Sequence, residues 1–94
     1  MTPDQEMQRG AAAAYIVNDP IFVEAMARLK KEVIEKWSEC PARDVEGREW
    51  LWQHYQVTLK FEQLFTEIIN TGKMATQMER ERTIGERILK AVGA

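Results

Sequence analysis

The chain has 94 residues, of which 45% are hydrophobic and 30% are charged, and 13 Lys and Arg against 15 Asp and Glu give a formal net charge of -2. This length fits one domain, and this composition is typical of an ordinary soluble globular protein rather than a disordered, collagen-like or membrane-spanning one. Small proteins that bind the phosphate groups of nucleic acid normally carry an excess of Lys and Arg, and this slightly acidic chain lacks one.

Two helices are predicted in the N-terminal part of the chain, over residues 3–17 and 20–38. Each begins with a residue whose side chain accepts hydrogen bonds from free helix N–H groups. A proline follows, which suits the first helical position because its missing N–H would have no partner there. These starts are Thr2-Pro3 and Asp19-Pro20. The second helix ends before Pro41, since a residue that precedes proline is pushed out of the helical region.

The third predicted helix, residues 45–71, carries the strongest pattern in the chain. Apolar side chains recur at alternating steps of four and three, which is typical of a seam along which one helix packs against another. The seam residues are Trp50, His54, Val57, Phe61, Leu64 and Ile68. A row beside them, Leu51, Thr58, Phe65 and Ile69, widens this surface. We expect the seam to be buried, with His54 as a packed core residue, and the whole surface to need more than one neighbour.

A fourth helix is predicted over residues 73–92, after a left-handed Gly72 that ends the third. The short link of residues 40–44 makes the second and third helices antiparallel neighbours. The predicted fold class is therefore all-α, an antiparallel helical hairpin with flanking N- and C-terminal helices in a single domain, residues 1–94. Because a domain this small buries only a modest core, we expect it to self-associate into a homo-oligomer.

A second apolar patch lies on another face of the third helix. Trp52, Tyr55 and Leu59 are spaced to share one face, rotated away from the seam. Large apolar side chains there need a cover, which either the first helix or another protomer could supply. Aromatic residues bury large areas at low entropic cost, so we predict these three residues as the anchor for a protein partner.

Arg43 and Arg48, near the link between the second and third helices, are the predicted contacts for a phosphate group. The acidic residues interleaved with them, among them Asp44, Glu46 and Glu49, largely cancel their field. Nucleic acid is therefore a less favoured partner. A DNA-associated assembly or packaging factor is the alternative function.

No residue set predicts catalysis or a bound cofactor. Neither His54 nor Cys40 has the companions that a metal site or an activated thiol needs. Carboxylates paired at steps of three are similar to the Mg²⁺ ligands of all-helical nucleotide hydrolases, but the first pair lies on the polar side of its helix. The pairs are Glu32 with Glu35 and Glu46 with Glu49. A Mg²⁺-dependent hydrolase is thus the least favoured alternative, and we predict a non-enzymatic protein with no metal, cofactor or membrane partner.

Three segments of the chain resemble short all-helical proteins of tailed phages and prophages, a group of unassigned function. The segments are residues 18–25, 41–49 and 71–73, and the resemblance covers about residues 10–78. It implies a phage origin and a role near virion assembly or host takeover, with a host or virion protein, or the chain itself, as the partner. Because Cys40 is the only cysteine, no internal disulfide is expected, and the predicted location is the cytoplasm of the host cell.

Overall fold

Three α-helices make up the computed structural model, which describes residues 1–93. They are α1 (Pro3–Val17), α2 (Pro20–Glu39) and α3 (Val45–Gly93), and no strand occurs in that part of the chain. The all-α fold class is therefore confirmed. No helix within residues 1–93 combines the length and the apolar character that crossing a membrane requires.

The first two helices begin with the capping contacts that the sequence predicts. Thr2 Oγ1 accepts a hydrogen bond from the Gln5 backbone at 3.2 Å, and the Gln5 side chain accepts one from the Thr2 backbone at 2.9 Å. Asp19 Oδ1 accepts hydrogen bonds from the backbone N–H groups of Ile21 and Phe22. These contacts satisfy N–H groups that the first turn of a helix leaves free, so they fix where α1 and α2 start.

α3 runs without a break, so the prediction of one helix ending at residue 71 and another over residues 73–92 is wrong. Gly72 lies inside α3, and no residue in the described range 1–93 has a positive φ. This glycine instead allows α1 to approach α3, because a Cβ added to Gly72 would lie 2.9 Å from Gly10 Cα of α1. Close contact between two helix backbones, rather than a helix end, therefore explains the glycine at this position.

α2 lies along the N-terminal half of α3, and aromatic contacts join the two helices. Near the start of α2, the ring of Phe22 meets Phe65 edge-on with the ring centroids 5.4 Å apart. Near its end, the Arg48 guanidinium lies 4.3 Å from the centroid of the Trp37 ring. As the chain advances along α2, its contacts therefore move back toward the start of α3.

The row of α3 that packs against α2 is one residue away from the predicted seam. Buried or half-buried residues at alternating steps of four and three are Leu51, Tyr55, Thr58, Glu62 and Phe65. A step of one residue turns a side chain by about 100° around the helix axis. The predicted seam therefore faces solvent from Trp50 to Leu64, and its interpretation as buried core, with His54 packed inside, is wrong. Ile68 at its end is half buried, beside α1.

Two polar residues in the buried row explain why this row can pack against α2. The Thr58 hydroxyl donates a hydrogen bond to the His54 carbonyl at 2.9 Å, so it needs no partner from another helix. Glu62 Oε1 lies 2.6 Å from Lys30 Nζ of α2. The Thr58 hydroxyl is thus hydrogen-bonded within its own helix, and the Glu62 carboxylate has a counter-charge on α2, which offsets part of the cost of burying them.

The molecule is a rod with a thin core. Its principal extents are 77 × 25 × 19 Å, and its radius of gyration of 21.3 Å compares with about 12 Å for a compact chain of this length. Its accessible surface is 7651 Å², against about 5,600 Å² expected for a compact monomer of 10.9 kDa. The excess of about 2,000 Å² means that large apolar side chains on these helices lack a covering neighbour within the chain.

Candidate functional site

An exposed apolar strip on α3 is the main candidate site, and we call Trp50, His54, Val57, Phe61 and Leu64 the exposed strip. Trp50, Val57, Phe61 and Leu64 are 57%, 68%, 45% and 46% exposed. The strip extends about 21 Å along one side of α3. A contiguous apolar surface of this kind is uncommon on a monomer and marks a site of association.

Ring contacts hold the exposed strip in a defined shape. The His54 ring lies 3.9 Å from the Trp50 ring, centroid to centroid. Phe61 meets Phe65 edge-on at 5.2 Å, and Phe65 in turn packs against Phe22 of α2. These ring contacts link the aromatic side chains of the strip to one another and, through Phe65, to α2.

α1 covers the continuation of the exposed strip along α3. His54, Phe61, Ile68 and Ala75 follow one another at steps of seven and so lie on nearly the same line of the helix. Ile68 is half buried and Ala75 is only 3% exposed, whereas His54 and Phe61 are exposed. One apolar surface of α3 is therefore covered by α1 around Ile68 and Ala75 and open from Trp50 to Leu64.

The aromatic patch of Trp52, Tyr55 and Leu59 is partly sheltered by α2. Trp52 and Tyr55 line a small cavity of about 130 Å³ together with Val33, Ile34 and Trp37. Trp52 remains 55% exposed and Leu59 37% exposed, while Tyr55 is half buried. The cover within the chain thus comes from α2 and not from the first helix, which was one of the two covers predicted.

Arg48 is engaged in holding the link between α2 and α3. In addition to its position over Trp37, its Nη1 donates a hydrogen bond to the Cys40 carbonyl at 3.1 Å. Arg43 is exposed in the link itself. Of the two predicted phosphate contacts, Arg48 is therefore held by one hydrogen bond and by the Trp37 ring, and Arg43 stands at the surface.

The two α2 carboxylates that resemble Mg²⁺ ligands, Glu32 and Glu35, form ion pairs on the surface of this helix. Glu32 pairs with Arg28 at 3.2 Å, and Glu35 pairs with Lys31 at 3.8 Å, each one helical turn away. Within residues 1–93, no group of three or more His, Cys, Asp or Glu side chains is placed to hold a metal ion. These carboxylates behave as a solvated charged face.

The C-terminal part of α3 combines an ion-paired cluster with apolar side chains that lack cover. Arg82 pairs with both Glu79 and Glu86, and its hydrogen bond lowers the pKa of the Glu79 carboxyl below the ordinary value. Farther along, Leu89 and Val92 are 72% and 81% exposed. The charge of Arg82 is thus neutralised by carboxylates of its own helix.

Comparison with protein-family models, with curated proteins and with solved structures found no match for this chain.

The sequence pattern identifies the residues of the exposed strip, but it does not predict that they face solvent. Its spacing predicts a packed seam, and packing within one chain is the commonest reason for such a seam. Leu29 of α2 is also 43% exposed. The available signal was the width of the apolar surface on α3, which exceeds what one neighbouring helix can cover.

Proposed function

We propose that this protein is a non-enzymatic helical interaction protein whose exposed strip binds a second copy of the chain. The unit that associates is an antiparallel hairpin of residues 20–38 and 45–71. The observation that carries the proposal is the exposure of Trp50, Val57, Phe61 and Leu64 on one side of α3. Covering apolar surface of this size is favourable by about 25 cal/mol per Å².

The extended shape of the chain favours association with a second copy. This chain has about 2,000 Å² more surface than a compact monomer of its mass, distributed over the whole rod. A specific protein interface buries about 800 Å² on each partner, so an interface along α3 that includes the exposed strip would remove part of this excess. A thin two-helix layer that pairs with its copy forms a four-helix arrangement, in which a common core becomes possible.

A second copy suits the exposed strip better than a charged ligand does. The opposite side of α3 carries the polar row Gln56, Gln63, Asn70 and Gln77, all exposed. One side of α3 is therefore suited to contact with water, and the other is suited to contact with an apolar surface. A second copy offers an apolar strip of the same length and curvature, as a symmetric dimer interface requires.

We further propose a phage origin for the chain and a second protein as its external partner. The resemblance to short tailed-phage proteins favours a phage or prophage origin and a cytoplasmic location in the host cell. The aromatic patch of Trp52, Tyr55 and Leu59 would then bind a host or virion protein. A DNA-associated role has less support, because Arg48 and Arg82 already contact groups of this chain.

Val57→Glu tests self-association. We expect light scattering to give twice the chain mass for the unmodified protein and the single-chain mass for this variant. A carboxylate placed in the middle of this apolar interface, opposite the same carboxylate of the second copy, costs several kcal/mol, which raises the dissociation constant by roughly 100-fold or more. Since Val57 is 68% exposed in the single chain, helicity should be unchanged by circular dichroism.

The matched control for this experiment is Gln56→Glu. It adds the same charge one residue away, on the polar side of α3, and should leave the mass at twice that of the chain. A single-chain mass for the unmodified protein would overturn the proposal, as would equal masses for the two variants.

Trp52→Ala separates the aromatic patch from the exposed strip. The change removes a side chain that lines the cavity between α2 and α3, so the melting temperature should fall, by an amount equivalent to about 1–2 kcal/mol for a half-exposed site. The mass in solution should stay that of the dimer. A drop to the single-chain mass without a loss of stability would instead make this patch the surface of self-association.

A further inference from the structure

We propose that the second copy lies antiparallel along the exposed strip, with the two-fold axis passing close to Val57, and that α1 enforces this orientation. The inference rests on the proposed function and adds the geometry of the complex. It follows from where α1 lies on α3, since α1 covers the same line of side chains that the exposed strip leaves open.

α1 excludes a parallel arrangement on steric grounds. Two α3 helices packed strip to strip would have their axes about 8–10 Å apart. In a parallel pair, Ile68 and Ala75 of both copies would lie at the same level, each with its own α1 beside it. Two further helices, each about 10 Å across, do not fit in that gap. A parallel dimer would therefore have to displace α1 from its close contact at Gly10 and Gly72.

An antiparallel arrangement avoids this collision. With the axis at Val57, Trp50 lies opposite Leu64 of the second copy, and His54 lies near Phe61 of the second copy. Ile68, where α1 begins to cover the strip, then lies opposite the start of the second copy's α3. Beyond that point the second chain turns away through the link that follows α2. Each α1 thus meets the end of the other helix, which limits the overlap to residues 45–69.

The polar border of the strip also fits this register. Gln53 and Lys60 flank the strip on the side away from α2, at steps of seven. When the two α3 helices run in opposite directions, Gln53 lies near Lys60 of the second copy. The two-fold axis generates this pair twice, and in each an amide oxygen faces an ammonium group. The register therefore keeps the Lys60 ammonium groups of the two copies apart, although both residues lie close to the two-fold axis.

Distances between spin labels on the two copies test the orientation and the register. We place one cysteine on the polar side of α3, Asn70→Cys or Gln77→Cys, in a Cys40→Ser background, and measure dipolar couplings in the dimer. At 1.5 Å per residue, the axial separations should be about 39 Å for position 70 and about 60 Å for position 77. Moving the label by seven residues should therefore lengthen the distance by about 21 Å.

The outcomes separate this inference from the proposed function. Equal distances at the two positions, in a protein with twice the chain mass, would show a parallel dimer and overturn the inference while leaving self-association intact. The two distances could instead differ by about 21 Å while both exceed, or both fall short of, the expected values by the same amount. The two-fold axis would then lie away from Val57, and the proposed register would be overturned. A single-chain mass would overturn both proposals.

Discussion

Gly72→Ala is expected to destabilise the protein, although alanine is the better helix former. The added Cβ would lie 2.9 Å from Gly10 Cα and 3.0 Å from the Glu6 carbonyl oxygen, both of which are backbone atoms. α1 must therefore move as a body, and overpacking of this kind costs about 1–3 kcal/mol. The gain in helix propensity offsets about 1 kcal/mol of that cost. Thermal and urea unfolding of the variant should show the net loss.

Gly85→Ala is the matched control for Gly72→Ala. Gly85 lies in the same helix, and a Cβ there would meet nothing within 4 Å among the described residues. The same substitution should then stabilise α3 by about 0.5–1 kcal/mol, since only the helix propensity changes. Stabilisation by both substitutions would mean that α1 does not pack against Gly72 in solution. That result would also remove the steric basis for an antiparallel dimer.

The starts of α1 and α2 were predictable because their causes are local. Thr2 and Asp19 each bond to N–H groups within three residues, and a proline follows each of them. Nothing distant in the chain competes with these contacts. A pattern of a few residues therefore contains the information that decides the helix start.

The choice of the buried face of α3 was not predictable in the same way. The buried row and the exposed strip have the same alternating spacing and lie one residue apart. Hydropathy ranks Val57 and Phe61 above Thr58 and Glu62, so it favours the wrong row. The deciding contacts come from α2, since Lys30 supplies the counter-charge for Glu62. Such a contact appears only when both helices are in place.

Gly72 shows how one residue type can support two opposite predictions. A glycine after an apolar helical segment usually indicates a helix end. Inside a helix the same residue permits a close approach of another backbone, and here the other backbone contributes Gly10. The two glycines are far apart in sequence, so their pairing could not be read from local spacing. This contact allows the backbone of α1 to lie close against that of α3.

Lys30→Met is expected to destabilise the protein by about 1–2 kcal/mol. The Lys30 and Glu62 side chains are 32% and 34% exposed, and Glu62 Oε1 is buried without a regular hydrogen bond from any residue of 1–93. Removing the lysine leaves this carboxylate with no counter-charge. The loss for a fully buried pair is about 3–5 kcal/mol, and water screens part of it here. Urea unfolding measures the difference.

Two further variants establish that the loss comes from the carboxylate left behind. Lys31→Met removes a lysine that pairs with Glu35 at 3.8 Å on the exposed side of the same helix, and it should change stability by less than about 0.5 kcal/mol. In the double variant Lys30→Met and Glu62→Leu, an apolar pair replaces the ion pair, so stability should return to near that of the unmodified protein. If Lys30→Met and Lys31→Met have equal effects, or the double variant shows no recovery, Lys30 does not neutralise Glu62 within this interface. The register of α2 on α3, and with it the exposure of the strip, would then have to be revised.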